Sequence, residues 1–236
     1  MLESPDMAAG NNHSIRLFLA SNSPRRKELL ALSNLQYGVL TPQVDETPRE
    51  NEDGLEYVKR VSRSKLGAVA GQVGDDSVII AADTAVIDGR MNEEARILGK
   101  PRDREEAKVM LNALCGHTHQ VHTAITVLRK RDSKMVTDLC TTDVPMRIYG
   151  DEEIDAYIAS GDPMDKAGAY AIQHPGFHPV EKLEGCYANV MGLPLCHLTR
   201  TLICLGITPP ADVPRACQAA LGYNCPVYAQ ILNREA

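Results

Sequence analysis

Four short segments put polar or charged residues where the surrounding pattern is otherwise apolar core: residues 20–26 (ASNSPRR), 81–84 (AADT), 99–101 (GKP) and 165–173 (DKAGAYAIQ). In the first, the hydroxyls of Ser21 and Ser23, the amides of a helix start and the guanidiniums of Arg25 and Arg26 fall together. Helix-start amides and the macrodipole favour an anion, and guanidiniums grip phosphate oxygens in pairs, so a triphosphate suits this segment. A solvated helix cap with two surface arginines fits the same letters. Yet two arginines in a first turn oppose the dipole unless an anion joins them, and the pair calls for an explanation.

Asp83 interrupts an apolar strand, where an unpartnered carboxylate is costly. Asp45 and Glu46, in QVDET, follow the preceding strand, so two or three carboxylates can meet at one cleft. A hard divalent cation such as Mg²⁺ uses one or two carboxylates plus substrate phosphates, and a buried carboxylate can serve as general base toward water. An Asp satisfied by amides and Thr84 is the plainer alternative. Lys65 and Lys100 can neutralise charge developing on phosphates; lone lysines usually face solvent, and only their company singles these two out. Lys166, Gly168, Tyr170 and Gln173 form a small-residue turn whose amide can read a base edge, or a tight crossover and nothing more.

These side chains have to be positioned by regular elements. Residues 15–20 read as a strand, followed by a tight loop and a helix over 24–33 that opens at Ser-Pro. A strand over 37–41 precedes a helix over 55–73, whose apolar stripe includes Leu55, Val58, Val61, Leu66, Val69 and Ala70 and which also carries Lys59, Arg60, Arg63 and Lys65. Residues 77–87 are apolar on both faces, as a central strand requires. Asp103 caps a helix through Leu114, and residues 119–130 and 134–148 pair as a hairpin about the polar turn 131–133. A helix from Asp151 to about Ser160, the Gly-rich segment 161–173 and a helix over 193–205 complete the pattern. Residues 1–14 read as a disordered leader, 15–206 as the domain, and 207–236, with four prolines, as an irregular extension. The expectation is an α/β fold with a mixed sheet and one cleft.

Composition narrows the function. A net charge of -6 offers no footprint for nucleic acid, so any phosphate ligand depends on a local basic site. Apolar runs are strand-length, so no membrane partner is expected. The seven cysteines include no CxxC pair and suggest thiols in a reducing, cytoplasmic compartment. No Walker loop, GxGxxG, HExxH or GxSxG is present. His119 and His122 fall on opposite faces of a strand and do not read as a metal pair.

Taken together and in order, LASNSPRR, AADTAV, LGKP, VHTAITV, GDPMDKAGAYAIQ and NVMGLPL closely resemble the Maf family of nucleotide pyrophosphatases, over about residues 16–205. The resemblance implies a mixed twisted sheet with flanking helices, two-lobed about a central cleft like the inosine-triphosphate pyrophosphatases. It implies cleavage of a nucleoside triphosphate between its α- and β-phosphates with Mg²⁺ or Mn²⁺, and a homodimer. Carried onto this chain, Ser21, Arg25, Arg26, Lys65 and Lys100 would contact phosphate, Glu46 and Asp83 would serve the metal and the attacking water with Asp83 as base, and Gln173 would fix the nucleotide. AADT, TTDV and DKAGAYAIQ look like the dTTP/UTP branch, whereas Gly99 departs from the acid common there. A 7-methyl-GTP-type enzyme, an inosine-triphosphate pyrophosphatase and a non-catalytic nucleotide-sensing or division-associated module are the competing expectations.

Overall fold

β-branched residues at 78–80 and 86–87 make Ser77–Asp88 (β3) the buried spine of a six-stranded sheet. The computed structural model describes residues 15–89 and 95–234, and the expected leader lies outside them. Arg16–Ala20 (β1) and Tyr37–Leu40 (β2) lie parallel to one another, and β1 is parallel to β3. Arg96–Leu98 (β4), Thr118–Arg129 (β5) and Lys134–Pro145 (β6) add antiparallel pairs, giving the order β2-β1-β3-β5-β6 with β4 also on β3. The sheet is therefore mixed.

The register of β3 makes an opening. One edge pairs with β1 as far as Ala81 and with β4 from Val86, so residues 82–85 have a strand neighbour only on the β5 side. A ligand crevice forms at such a point, beyond the carboxyl ends of parallel strands. Asp83 and Thr84 stand in that gap, on opposite faces because side chains alternate along a strand.

Gly54–Ala70 (α2) covers the face that carries Ile79, Ala81, Ala85 and Ile87, with Tyr57, Val58 and Val61 over one half and Leu66 and Val69 over the other. Val61, Lys65 and Val69 are four apart and share one stripe. A lysine thus comes down on the sheet beside Asp83. On the opposite face Pro24–Ala31 (α1), Tyr187–Met191 (α5) and Leu195–Cys204 (α6) pack on Val78, Ile80 and Ala82, while Arg104–Leu114 (α3) and Asp151–Ala159 (α4) pack around Val86, Val121 and Val144. Thr84 marks the seam between these two cores, and the cleft follows it.

Most expected elements are present within a few residues. β6 stops at Pro145 rather than running to 148, since proline has no N–H for a ladder. The short β4 and α5 carry too little periodic pattern to be read from sequence. The extension is not irregular: Val213–Leu221 (α7) and Tyr228–Leu232 (α8) are helical. Pro214, read as a breaker, occupies the first turn, where its missing N–H costs nothing; Asp212 caps the helix through the Arg215 amide and Gly222 closes it. Val213, Cys217 and Leu221, four apart, pack on the core beside α6.

Candidate active site

The loop after β1 turns directly into α1. Ser23 caps the helix, its Oγ accepting from the Arg26 amide at 3.4 Å, and Pro24 opens it. Ser21 Oγ accepts from the Ser23 amide at 3.2 Å. No acid offsets the two arginines of this first turn. They behave differently. Arg26 is buried, its Nε donating to the Gly192 carbonyl at 2.8 Å and its Nη2 to Thr84 Oγ1 at 3.0 Å. Thr84 then bonds Thr123 at 2.9 Å, and Thr123 donates to the Asn189 carbonyl at 3.3 Å. Arg25 is partly exposed and reaches Asp165 at 3.4 Å.

Across the sheet edge, Lys65 Nζ lies 2.7 Å from Asp83 Oδ1 and 3.0 Å from Glu46 Oε1. The Tyr57 hydroxyl donates to the Glu46 carbonyl at 2.8 Å, so α2 holds both the lysine and the segment bearing the second carboxylate. Asp83 is 3% exposed and its Oδ2 has no hydrogen-bond partner. Burial pushes its carboxyl above the ordinary range, against the opposing pull of Lys65 and Arg26. Asp45 does not join the cluster: its carboxylate accepts from the Thr47 amide at 2.9 Å in a local turn. The carboxylates are two, not three.

Two carboxylates, one of them with an orphaned, buried oxygen, fit a hard divalent cation. Among the described residues no set of three or more His, Cys, Asp or Glu has metal-ligand spacing, so a cation here would draw its other ligands from phosphate and water.

The GKP and DKAGAYAIQ segments meet, with the Gly168 amide donating to the Gly99 carbonyl at 3.0 Å. Gly168 has φ 68° against Val86, a place for no larger residue. Gly99 thus ties the two segments together, and exposed Lys100 follows it at the cleft. Ser21, Arg25, Arg26, Glu46, Lys65, Asp83, Lys100 and Gln173 all line one cleft of about 420 Å³, within the range of small-molecule sites. Sequence reasoning missed Thr84 as the support of Arg26, Asp165 as the partner of Arg25, and Gly192. The signal for Gly192 was the Gly-Leu-Pro step ahead of the last expected helix. His119 and His122 stay outside the cleft lining; His119 meets the Tyr170 hydroxyl and His122 that of Thr141, each at 2.8 Å.

A mixed α/β sheet whose split edge sets a lysine-clamped carboxylate pair opposite an arginine-bearing helix start defines a phosphate-handling class of protein. The chain belongs to the Maf family, whose model, described as Maf-like protein, matches residues 16–204. It is 42% identical over 187 residues to a protein of Alkaliphilus metalliredigens (strain QYMF), 79% of this chain and 94% of that one. It is 44% identical over 184 residues to one of Thermoanaerobacter sp. (strain X514), 78% and 93%, and 44% identical over 193 residues to one of Methylococcus capsulatus (strain ATCC 33009 / NCIMB 11132 / Bath), 82% and 92%. Each of these relatives bears the name dTTP/UTP pyrophosphatase. Among solved structures the Ham1 protein of Staphylococcus aureus aligns at TM-score 0.40 and 18% identity, over 56% of this chain and 71% of that one, a likeness from which nothing functional follows. No helix among the described residues is long and apolar enough to cross a membrane.

Proposed function

We propose that this chain is a nucleoside triphosphate pyrophosphatase that hydrolyses dTTP and UTP to the monophosphate and pyrophosphate. The observation that carries the reading is the Lys65 clamp on Asp83 and Glu46, with Asp83 Oδ2 left unpartnered in a cleft that also holds Arg25 and Arg26. The names of the relatives support the choice of substrate.

In this reading Ser21, Arg25, Arg26 and Lys100 hold the phosphates and Gln173 steadies the nucleoside. Glu46 and Asp83 hold a divalent cation, Mg²⁺ or Mn²⁺, which supplies charge neutralisation on the phosphate oxygens when bound. Asp83 accepts the proton of a water whose oxygen bonds to phosphorus while the α–β bridging P–O bond breaks. The pyrophosphate leaves with its charge met by Arg25 and Lys100. Lys65 holds both carboxylates in place. Free thiols throughout the described chain fit a cytoplasmic location, and a homodimer belongs to the same reading.

The test is a pyrophosphate-release screen against dTTP, UTP, CTP, 7-methyl-GTP, ITP and the common purine triphosphates, with Mg²⁺ and with Mn²⁺. Preferential turnover of dTTP and UTP is expected. Preference for 7-methyl-GTP would keep the reaction and change the substrate, and binding without release would leave a nucleotide-sensing module.

A further inference from the structure

The two arginines of α1 sit side by side in sequence and in opposite circumstances. Arg26 is locked by Thr84 and Gly192, whereas Arg25 extends over the mouth of the cleft to Asp165, 140 residues away. Asp165 is not a loose surface acid. Lys166, itself buried, bonds Asp165 Oδ1 at 2.6 Å, Asp162 Oδ1 at 2.9 Å and the Asp162 carbonyl at 2.6 Å. Asp162 Oδ2 in turn accepts from the Tyr157 hydroxyl at 2.7 Å, and that hydroxyl accepts from the Ala171 amide at 2.9 Å. The chain of bonds fixes Asp165 Oδ1 and leaves Oδ2 to face Arg25. Although partial burial opposes it, Lys166 and Arg25 keep Asp165 below its ordinary range, so it is an anion at neutral pH.

We propose that Asp165 is a positioning residue that competes with phosphate for Arg25 and thereby loosens the hold of the cleft on pyrophosphate. This rests on the reading of the cleft as a polyphosphate site. An anionic ligand that takes Arg25 has to displace the carboxylate and then lies beside it. The repulsion grows with ligand charge, so it acts on pyrophosphate and triphosphate more than on a monophosphate. Arg25 thus has two alternative partners, one built into the segment 162–166 and one brought by the substrate. After the bridge is cut, return of Arg25 to Asp165 helps the pyrophosphate go. The contact is exposed and 3.4 Å long, which makes it a weak competitor and sets the size of the effect at about two- to fivefold in affinity.

The test is calorimetric titration of inorganic pyrophosphate into the full chain in metal-free buffer, with steady-state kinetics alongside. Asp165→Asn keeps an amide oxygen for Lys166 and removes the charge. It is expected to bind pyrophosphate about two- to fivefold more tightly at low salt, with the gain erased in 1 M salt, halved or less in an Arg25→Ala background, and absent in Asp165→Glu. In turnover it lowers KM and the pyrophosphate inhibition constant more than it alters kcat. Equal or weaker pyrophosphate binding by Asp165→Asn, a gain that survives 1 M salt, or no binding of pyrophosphate by any variant overturns the proposal. Because the titration needs no hydrolysis, a wild type that binds pyrophosphate but cleaves no nucleotide refutes the proposed activity and leaves this inference standing.

Discussion

At the scale of single residues, Asp83 and Lys65 form a pair whose members need each other. A carboxylate 3% exposed would be costly alone, and Lys65 offsets that cost while leaving Oδ2 free for chemistry. Replacing Asp83 by Asn is expected to lower kcat by about 10²–10⁴-fold, the usual worth of a general base, with the circular dichroism spectrum unchanged. As the proposed base, Asp83 has to be deprotonated, so activity is expected to fall as pH drops through its pKa. Burial raises that pKa, so the acid limb of kcat/KM lies above the ordinary Asp value of about 3.9. Lys65→Met removes the cation that lowers it and leaves two carboxylates facing one another. The acid limb then moves to still higher pH and kcat falls, which a pH–rate profile of the variant checks.

At the scale of elements, the site is built by two junctions, one where β1 hands over to α1 and one where α5 ends before α6. The loop into α1 presents Arg25 and Arg26, and the end of α5 closes over Arg26 through Gly192. That glycine has φ 109°, and a Cβ there would stand 3.3 Å from Thr84 Oγ1 and 3.5 Å from Arg26 Nε. Gly192→Ala therefore combines backbone strain, on the order of 1–3 kcal/mol, with a push on Arg26. A urea midpoint lowered accordingly and a raised KM for dTTP are the expected results. An unchanged KM would mean that Arg26 does not depend on this support.

At the scale of the whole molecule, the extension and the buried histidines govern stability rather than chemistry. α7 and α8 lie beyond the matched family region and line no part of the cleft, yet Val213 is 2% exposed and Leu221 and Val227 pack with it on the core of α6. Truncation after Gly206 is expected to cost on the order of 4 kcal/mol, a fall in Tm of about 10 °C, with kcat retained below the transition. His119 and His197 are both pushed down to about 4 by burial. A folded pKa below the unfolded value near 6.5 stabilises the fold at higher pH and withdraws that support as pH falls from 6.5 toward 4. Urea unfolding at pH 7 and pH 5 is expected to show that loss, and His197→Gln is expected to shrink the difference.

The sequence by itself determined the parts list. Period-2 and period-3.6 patterns placed most strands and helices, and the interruptions at Arg25, Arg26, Asp83 and Gln173 marked residues that belong to one cleft, because a polar residue inside an apolar pattern needs a partner that the local chain cannot supply. The first helix of residues 207–236 carries a Val213, Cys217, Leu221 spacing, but its proline, which sits where helices tolerate it, masked that signal. Only the tertiary structure decided which partners were found. That Lys65 meets both Asp83 and Glu46, that Asp45 turns away, and that Arg25 and Arg26 have different partners depend on the β3 register and on α2 crossing its face. Contacts between residues far apart in the chain are set by packing of whole elements, and no local pattern encodes them.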